Sequence, residues 1–104
     1  MTDKQREICE ANGWSVYEYN GTIELSKYSP ANEEHLLTLV DDETIAEQVM
    51  EAYENFDVDR HAEMWIPERG QGGVPETIKE IVEDAEAIKA MIKELADALK
   101  EKFR

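Results

Sequence analysis

The strongest constraint in the chain is the dipeptide Asn20-Gly21, flanked on both sides by residues of alternating polarity. A two-residue hairpin turn needs positive φ at both central residues, which Asn and Gly adopt at least cost. Strands at 14–19 and 22–28 are therefore predicted, with Val16 opposite Leu25 and Glu18 opposite Ile23. That register gathers Trp14, Val16, Ile23 and Leu25 on one face and leaves Tyr17, Tyr19 and Glu24 on a half-polar other face.

The flanking segments carry helix signals. Thr2 followed by Gln5 fits a capping box, and Gly13 fits the left-handed residue beyond a helix end. Residues 3–12 thus read as a short helix with Ile8 and Ala11 inward. Ser29-Pro30-Ala31-Asn32 reads as a turn. His35 to Val40 reads as a third strand, in which Leu36, Leu37, Leu39 and Val40 suit a position covered on both faces. Asp41 or Asp42 then caps a helix over residues 43–56, whose apolar positions Ile45, Val49, Ala52, Tyr53 and Phe56 recur at helical spacing. Asp57 or Asp59 caps a short helix containing Ala62, Trp65 and Ile66, which Pro67 helps to end. After the loop Gly70-Gln71-Gly72-Gly73, Pro75 suits a first helical position and the last helix runs to about residue 102. With no internal repeat and no long linker, residues 1–104 read as one domain. The expected fold is α+β, a three-stranded antiparallel meander with a short N-terminal helix, an acidic helix and a long C-terminal helix, in the order αβββααα.

Charge supplies the functional signal. The chain has 25 acidic and 11 basic residues, a formal net charge of -14. Such a field repels DNA, RNA and anionic membranes, which excludes direct nucleic-acid or membrane binding and favours basic protein partners. The surplus is also concentrated. Residues 32–65 hold eleven acids and a single base, Arg60, whereas the segments before and after are each nearly balanced. On the predicted helix, Glu43, Glu47, Glu51 and Glu54 share one face. Asp41 and Asp42 extend the line before it, and Asp57, Asp59 and Glu63 continue it. Like charges four apart destabilise a helix by about 0.2–0.5 kcal/mol per pair, yet no base lies between Glu43 and Phe56. Tolerated repulsion suggests a use for the field, and imitation of nucleic acid is the obvious one. Carboxylates four residues apart stand about 6 Å apart along the axis, against about 3.4 Å for the phosphates of one DNA strand. A mimic would need further charge from neighbouring elements or a second subunit. The bland alternative is a solvated face that only keeps the protein soluble.

On the C-terminal helix, Ile78, Ile81, Ala85, Ile88, Ile92, Leu95 and Leu99 alternate three and four apart, a heptad seam. Val82, Met91, Ala96 and Phe103 widen it toward a core-facing stripe. Ile81, Ile88, Ile92, Leu95 and Leu99 are accordingly the candidates for self-association as a homodimer, against the alternative of a helix wholly covered by its own sheet.

Other chemistry finds little support. His35, His61 and Cys9 show no paired metal-ligand spacing, and His61-Ala62-Glu63 lacks the Pro-Cys-x-x-Cys of a zinc deaminase. The Gly70–Gly73 loop lacks the Gly-Lys-Ser/Thr ending of a phosphate loop. Cys9 has no evident base, and one cysteine makes no internal disulfide. No metal, cofactor or catalytic residue is expected. The charged first residues do not read as a signal peptide, and no apolar run could span a bilayer, so a soluble cytoplasmic protein is expected.

The stretch Ala62-Glu-Met-Trp-Ile-Pro-Glu-Arg-Gly-Gln-Gly-Gly-Val-Pro-Glu-Thr-Ile78 resembles the C-terminal part of ArdA-type antirestriction proteins. The similarity is an aromatic-Ile-x-Glu-x-Gly run, then Gly-x-Val-Pro-x-Ser/Thr-Leu/Ile and an acidic helix. It falls here on Trp65, Ile66, Glu68, Gly70, Gly72 or Gly73, Val74, Pro75, Thr77 and Ile78, and with the acidic helix that follows it covers roughly a third of the chain. The resemblance implies a phage or mobile-element protein, acidic, elongated and dimeric, that mimics DNA and occupies DNA-binding host defence enzymes. The expected partner is a basic nucleic-acid-binding protein, such as a restriction–modification complex or a CRISPR effector. The competing expectation is a small self-associating structural or assembly protein of a phage or mobile element.

Overall fold

A computed structural model describes residues 1–102. The element order is α1 (Asp3–Ala11), β1 (Ser15–Tyr19), β2 (Thr22–Tyr28), β3 (Glu34–Val40), α2 (Ile45–Asn55), α3 (Val58–Trp65), a 3₁₀ turn (Ile66–Glu68) and α4 (Ile78–Lys102). This is the expected α+β fold in the order αβββααα. Asn20 and Gly21 take φ of 48° and 76°, and the strands pair in the expected register, Val16 with Leu25 and Glu18 with Ile23. β2 is central and β3 pairs antiparallel on its other side. The Thr2–Gln5 capping box is formed in both directions, and Gly13 follows α1 at φ 87°.

α1, α2 and α4 cover one face of the sheet, and α3 packs on α4. Trp14, Ile23, Leu25, Leu37 and Leu39 meet Ile45 and Val49 of α2 and Ile88, Ile92, Leu95 and Leu99 of α4 in one buried cluster. A smaller cluster joins Ala62 of α3 to Ile81 and Ala85 of α4, with Trp65, Ile66 and Val74 against it. The 25-residue α4, about 37 Å long at 1.5 Å per residue, accounts for most of the 41 Å long axis. The radius of gyration, 14.5 Å, exceeds the roughly 13 Å usual at this length.

Several expectations need correction. β3 is an edge strand covered on one face only, since Leu36 and Val40 are more than half exposed while Leu37 and Leu39 are buried. Its free edge is closed locally by Gln48 of α2. The Gln48 amide accepts from Val40 N and donates to Val40 O, both at 2.9 Å, and so occupies both backbone groups that another strand would use. In α1 the inward residues are Ile8 and Cys9, whereas Ala11 is exposed. Pro75 lies in the loop; α4 begins at Ile78, where the Thr77 hydroxyl accepts from Glu80 N at 3.2 Å. The delay comes from a closed turn in which Gly70 N donates to Pro75 O at 3.0 Å.

From Ile81 onward the heptad seam is the core itself, while Ile78 at its start is exposed. Ile81, Ile88, Ile92, Leu95 and Leu99 are each at most 3% exposed within a single chain. They offer no free surface to a second copy, so the self-association face assigned to them is withdrawn. Periodicity marks a stripe that must be covered, and here the chain's own helices and sheet cover it. Ala96 and Met91 are likewise buried, Val82 partly so, and Phe103 lies outside the described residues. No described helix is long and apolar enough to cross a membrane.

Candidate functional site: the acidic surface

The acidic surface is built from three consecutive pieces: the turn after β3, the outer face of α2 and the start of α3. In the turn, Asp42 Oδ1 accepts from Thr44 N at 2.7 Å, from the Thr44 hydroxyl and from Gln48 Nε2 at 3.2 Å. These bonds hold the Asp42 carboxyl below its ordinary range, the Thr44 hydroxyl contributing most, so it stays ionised. They also shift the start of the helix. α2 begins at Ile45 after Thr44, and Glu43 sits in the preceding turn instead of on the helix. The helical stripe therefore comprises Glu47, Glu51 and Glu54, which fall within about 60° of arc at 3.6 residues per turn. Ile45, Val49, Ala52, Tyr53 and Phe56 lie opposite and pack on the core.

Asp57 ends the stripe with a structural task, because its side chain accepts from Arg60 N at 3.1 Å and caps α3. Asp59 stands in the first turn of α3, where a negative charge is favoured by the helix dipole. Around this corner the consecutive residues 54–59 meet one distant residue, Lys89 of α4. Glu54, Asp57 and Asp59 line one open groove of about 500 Å³ with Phe56, Val58 and Lys89.

All eight predicted residues, Asp41, Asp42, Glu43, Glu47, Glu51, Glu54, Asp57 and Asp59, are exposed. Among the described residues, Asp41 alone of the eight is in an ion pair, with the Met1 amine. Several bases near the surface have other partners. Lys89 donates to Phe56 O at 2.6 Å, at the C-terminal end of α2, where a cation is favoured. Lys89 and Lys93 also sit 5.1 and 5.7 Å from the Tyr53 ring centroid. Lys93 pairs with Asp97 at 2.9 Å, and Arg6 pairs with Glu18. From Asp41 to Glu54 the run of carboxylates contains no base, whereas at its α3 end Arg60 beside Asp59 and Lys89 in the groove offset part of the charge.

The other polar groups have different surroundings. Cys9 is fully buried, and burial pushes its thiol up to about 11, which leaves almost no thiolate at neutral pH. His35 and His61 stand 6.2 Å apart, ring centroid to centroid, with Phe56 against both. His61 Nε2 lies 3.1 Å from Glu33 Oε2. Among the described residues no group of three His, Cys, Asp or Glu side chains is placed to hold a metal ion.

One feature of this region has no signal in local spacing. Asp84, on α4, is 9% exposed and clamps the turn between β2 and β3. It accepts from the Ser29 hydroxyl and from Ala31 N, both at 2.8 Å. The two partners are more than fifty residues away in sequence, so no window could pair them. Compared with protein-family models, characterised proteins and solved structures, the chain matches none.

Proposed function

We propose that this protein is an acidic, DNA-mimicking inhibitor of a host nucleic-acid enzyme, of the antirestriction or anti-CRISPR kind. It would bind the basic groove in which that enzyme holds DNA or RNA. The supporting observation is the run of exposed carboxylates from Asp42 to Asp59, free of ion pairs among the described residues. The dimensions agree with it. A net charge of -14 along a 41 Å axis is about one charge per 3 Å, against about one per 1.7 Å for duplex DNA. The chain thus carries somewhat more than half of the charge density of the polymer it would replace, on one subunit. The resemblance of residues 62–78 to antirestriction proteins points the same way.

The test is a panel of restriction–modification and CRISPR nucleases assayed with the protein across a salt series. Inhibition of at least one should weaken steeply as salt rises, because the Debye length falls from about 10 Å at 0.1 M to about 3 Å at 1 M. Inhibition that is absent throughout, or indifferent to salt, counts against the proposal.

A second reading, a self-associating assembly protein, draws on the uncovered face of the sheet. Tyr17, Tyr19, Tyr28, Leu36 and Val40 are each 52–61% exposed there. Salt separates the two readings by sign. Copies that each carry -14 should associate more tightly as salt screens their repulsion, the opposite of binding to a basic groove.

A further inference from the structure

The segment that resembles antirestriction proteins contributes little to the acidic stripe, yet it folds into something definite. Gly70, Gly72 and Gly73 take positive φ, and Gln71 N and Val74 N donate to Glu68 O and Gln71 O at 3.1 and 2.8 Å. This ordered loop forms one wall of a cavity of about 380 Å³ between the β2–β3 turn, α3 and α4. The volume is near the lower limit for ligand sites, about 300–1,000 Å³.

Its lining has two parts. Trp65, Val74, Pro75 and Ile81 supply an apolar and aromatic wall; Glu33 and Asp84 supply carboxylates, and no Lys or Arg lines it. Asp84 is held in place by Ser29 and Ala31. Glu33 is positioned by its backbone N–H, which donates to the Ser29 hydroxyl at 3.0 Å, and by His61 at Oε2. Its Oε1 has no protein partner among the described residues. The carboxylates do not converge as a metal site does. The combination suits a cation on an apolar stem, whose methylenes lie along the wall while its head meets carboxylate and the indole face.

We propose that this cavity receives one alkyl-guanidinium or alkyl-ammonium group, a basic side chain of the enzyme that the acidic surface binds. This assignment rests on the proposed inhibitory function for the identity of the partner, but the chemistry of the cavity is testable without any enzyme. α3 links the two features, since it carries Asp59 of the acidic surface and His61 and Trp65 of the cavity. The cavity would thus be a specific anchor beside a diffuse field, the arrangement in which a few seated side chains dominate binding.

The experiment is an NMR titration that follows the two indole N–H signals, assigned with Trp65→Phe. The probes are Nα-acetyl-arginine methylamide, its uncharged citrulline counterpart, and spermidine. The arginine compound should move the Trp65 indole and leave Trp14 unmoved. The citrulline compound should bind about tenfold more weakly, the factor that one charge-assisted hydrogen bond supplies. Glu33→Gln should erase that difference, and Ala31→Phe, which fills the cavity without changing charge, should abolish binding. Equal binding of the two compounds, or an unmoved Trp65 signal at millimolar probe, overturns the site. Against a sensitive nuclease, Ala31→Phe should also weaken inhibition about tenfold while the amide spectrum shows an intact fold. Arginine or spermidine binding lost in Ala31→Phe with native inhibition retained would assign the cavity to a free cationic small molecule and overturn the partner assignment.

Discussion

Glu51→Lys separates stability from function most sharply, because it should move them in opposite directions. Glu51 is exposed at the centre of the α2 stripe, four residues after Glu47 and three before Glu54. Each of these like-charge pairs costs about 0.2–0.5 kcal/mol, and each becomes an attraction of similar size when position 51 carries a lysine. The new pair with Glu47 also has the favoured order, with the glutamate toward the N-terminus. Two reversals give a swing of about 0.8–2 kcal/mol toward the folded state at low salt. Glu and Lys differ little in helix propensity, so nothing else of that size opposes the gain. For a domain of this length the rise in Tm should be several degrees, at about 4–8 °C per kcal/mol. Binding to a basic groove loses one attraction and gains one repulsion. At about 0.2–1 kcal/mol for each exposed pair, that is roughly a 2- to 30-fold weaker Kd. Thermal melts at low and high salt, paired with inhibition of a sensitive nuclease, read both effects. A stabilised variant that inhibits as well as the native protein would show that the stripe is not the contact. No stabilisation at low salt would show that the stripe carries no tolerated repulsion.

Other expectations follow from the packing and the titrating groups. Leu99→Glu places a charge at a site 1% exposed and should lower stability by more than about 4 kcal/mol, unfolding the domain instead of dividing a dimer; circular dichroism decides between these. Asp57→Ala removes the cap of α3 and should cost about 0.5–2 kcal/mol in urea unfolding. His35 is held below its ordinary 6.5 by burial first and by neighbouring His61 second, with Glu33 opposing. The unfolded chain then takes up the proton first, so stability should fall as pH drops below about 6.5, a loss that His35→Gln should diminish. Cys9, raised to about 11, contributes the opposite sign. Its stabilising effect is complete below the unfolded thiol value and is lost as pH rises toward 11, and a thiol reagent at neutral pH should label it only in denaturant.

The legible parts of the fold were those decided by neighbours in sequence. Asn20-Gly21 set the hairpin and its register, and Thr2 with Gln5 set the start of α1, because each feature acts across fewer than five residues. The α2 stripe was legible as a periodicity, but its first member was not. Glu43 left the helix because the Asp42 side chain folds onto Thr44, an alternative to helix that short polar residues offer. Leu36 and Val40 suggested a strand covered twice, since four apolar residues in five positions look alike whether one face or both are packed. Only the placement of β3 at the sheet edge distinguishes these cases. The seam on α4 announced that a partner exists without naming it; the partner proved to be β2, β3 and α2 of the same chain. The cavity was illegible for a related reason. Its carboxylates come from residues 33 and 84 and its wall from residues 65–81, and no short window contains both.

The central claim is that the acidic surface takes the place of nucleic acid, and mutual exclusion is its most direct consequence. A sensitive nuclease, a labelled duplex carrying its site and this protein can be mixed at low salt and followed by sedimentation velocity. The protein should displace the duplex as its concentration rises, giving enzyme–DNA and enzyme–protein complexes and no species containing all three. A stable ternary complex, with the duplex still bound while the enzyme is inhibited, would contradict the claim.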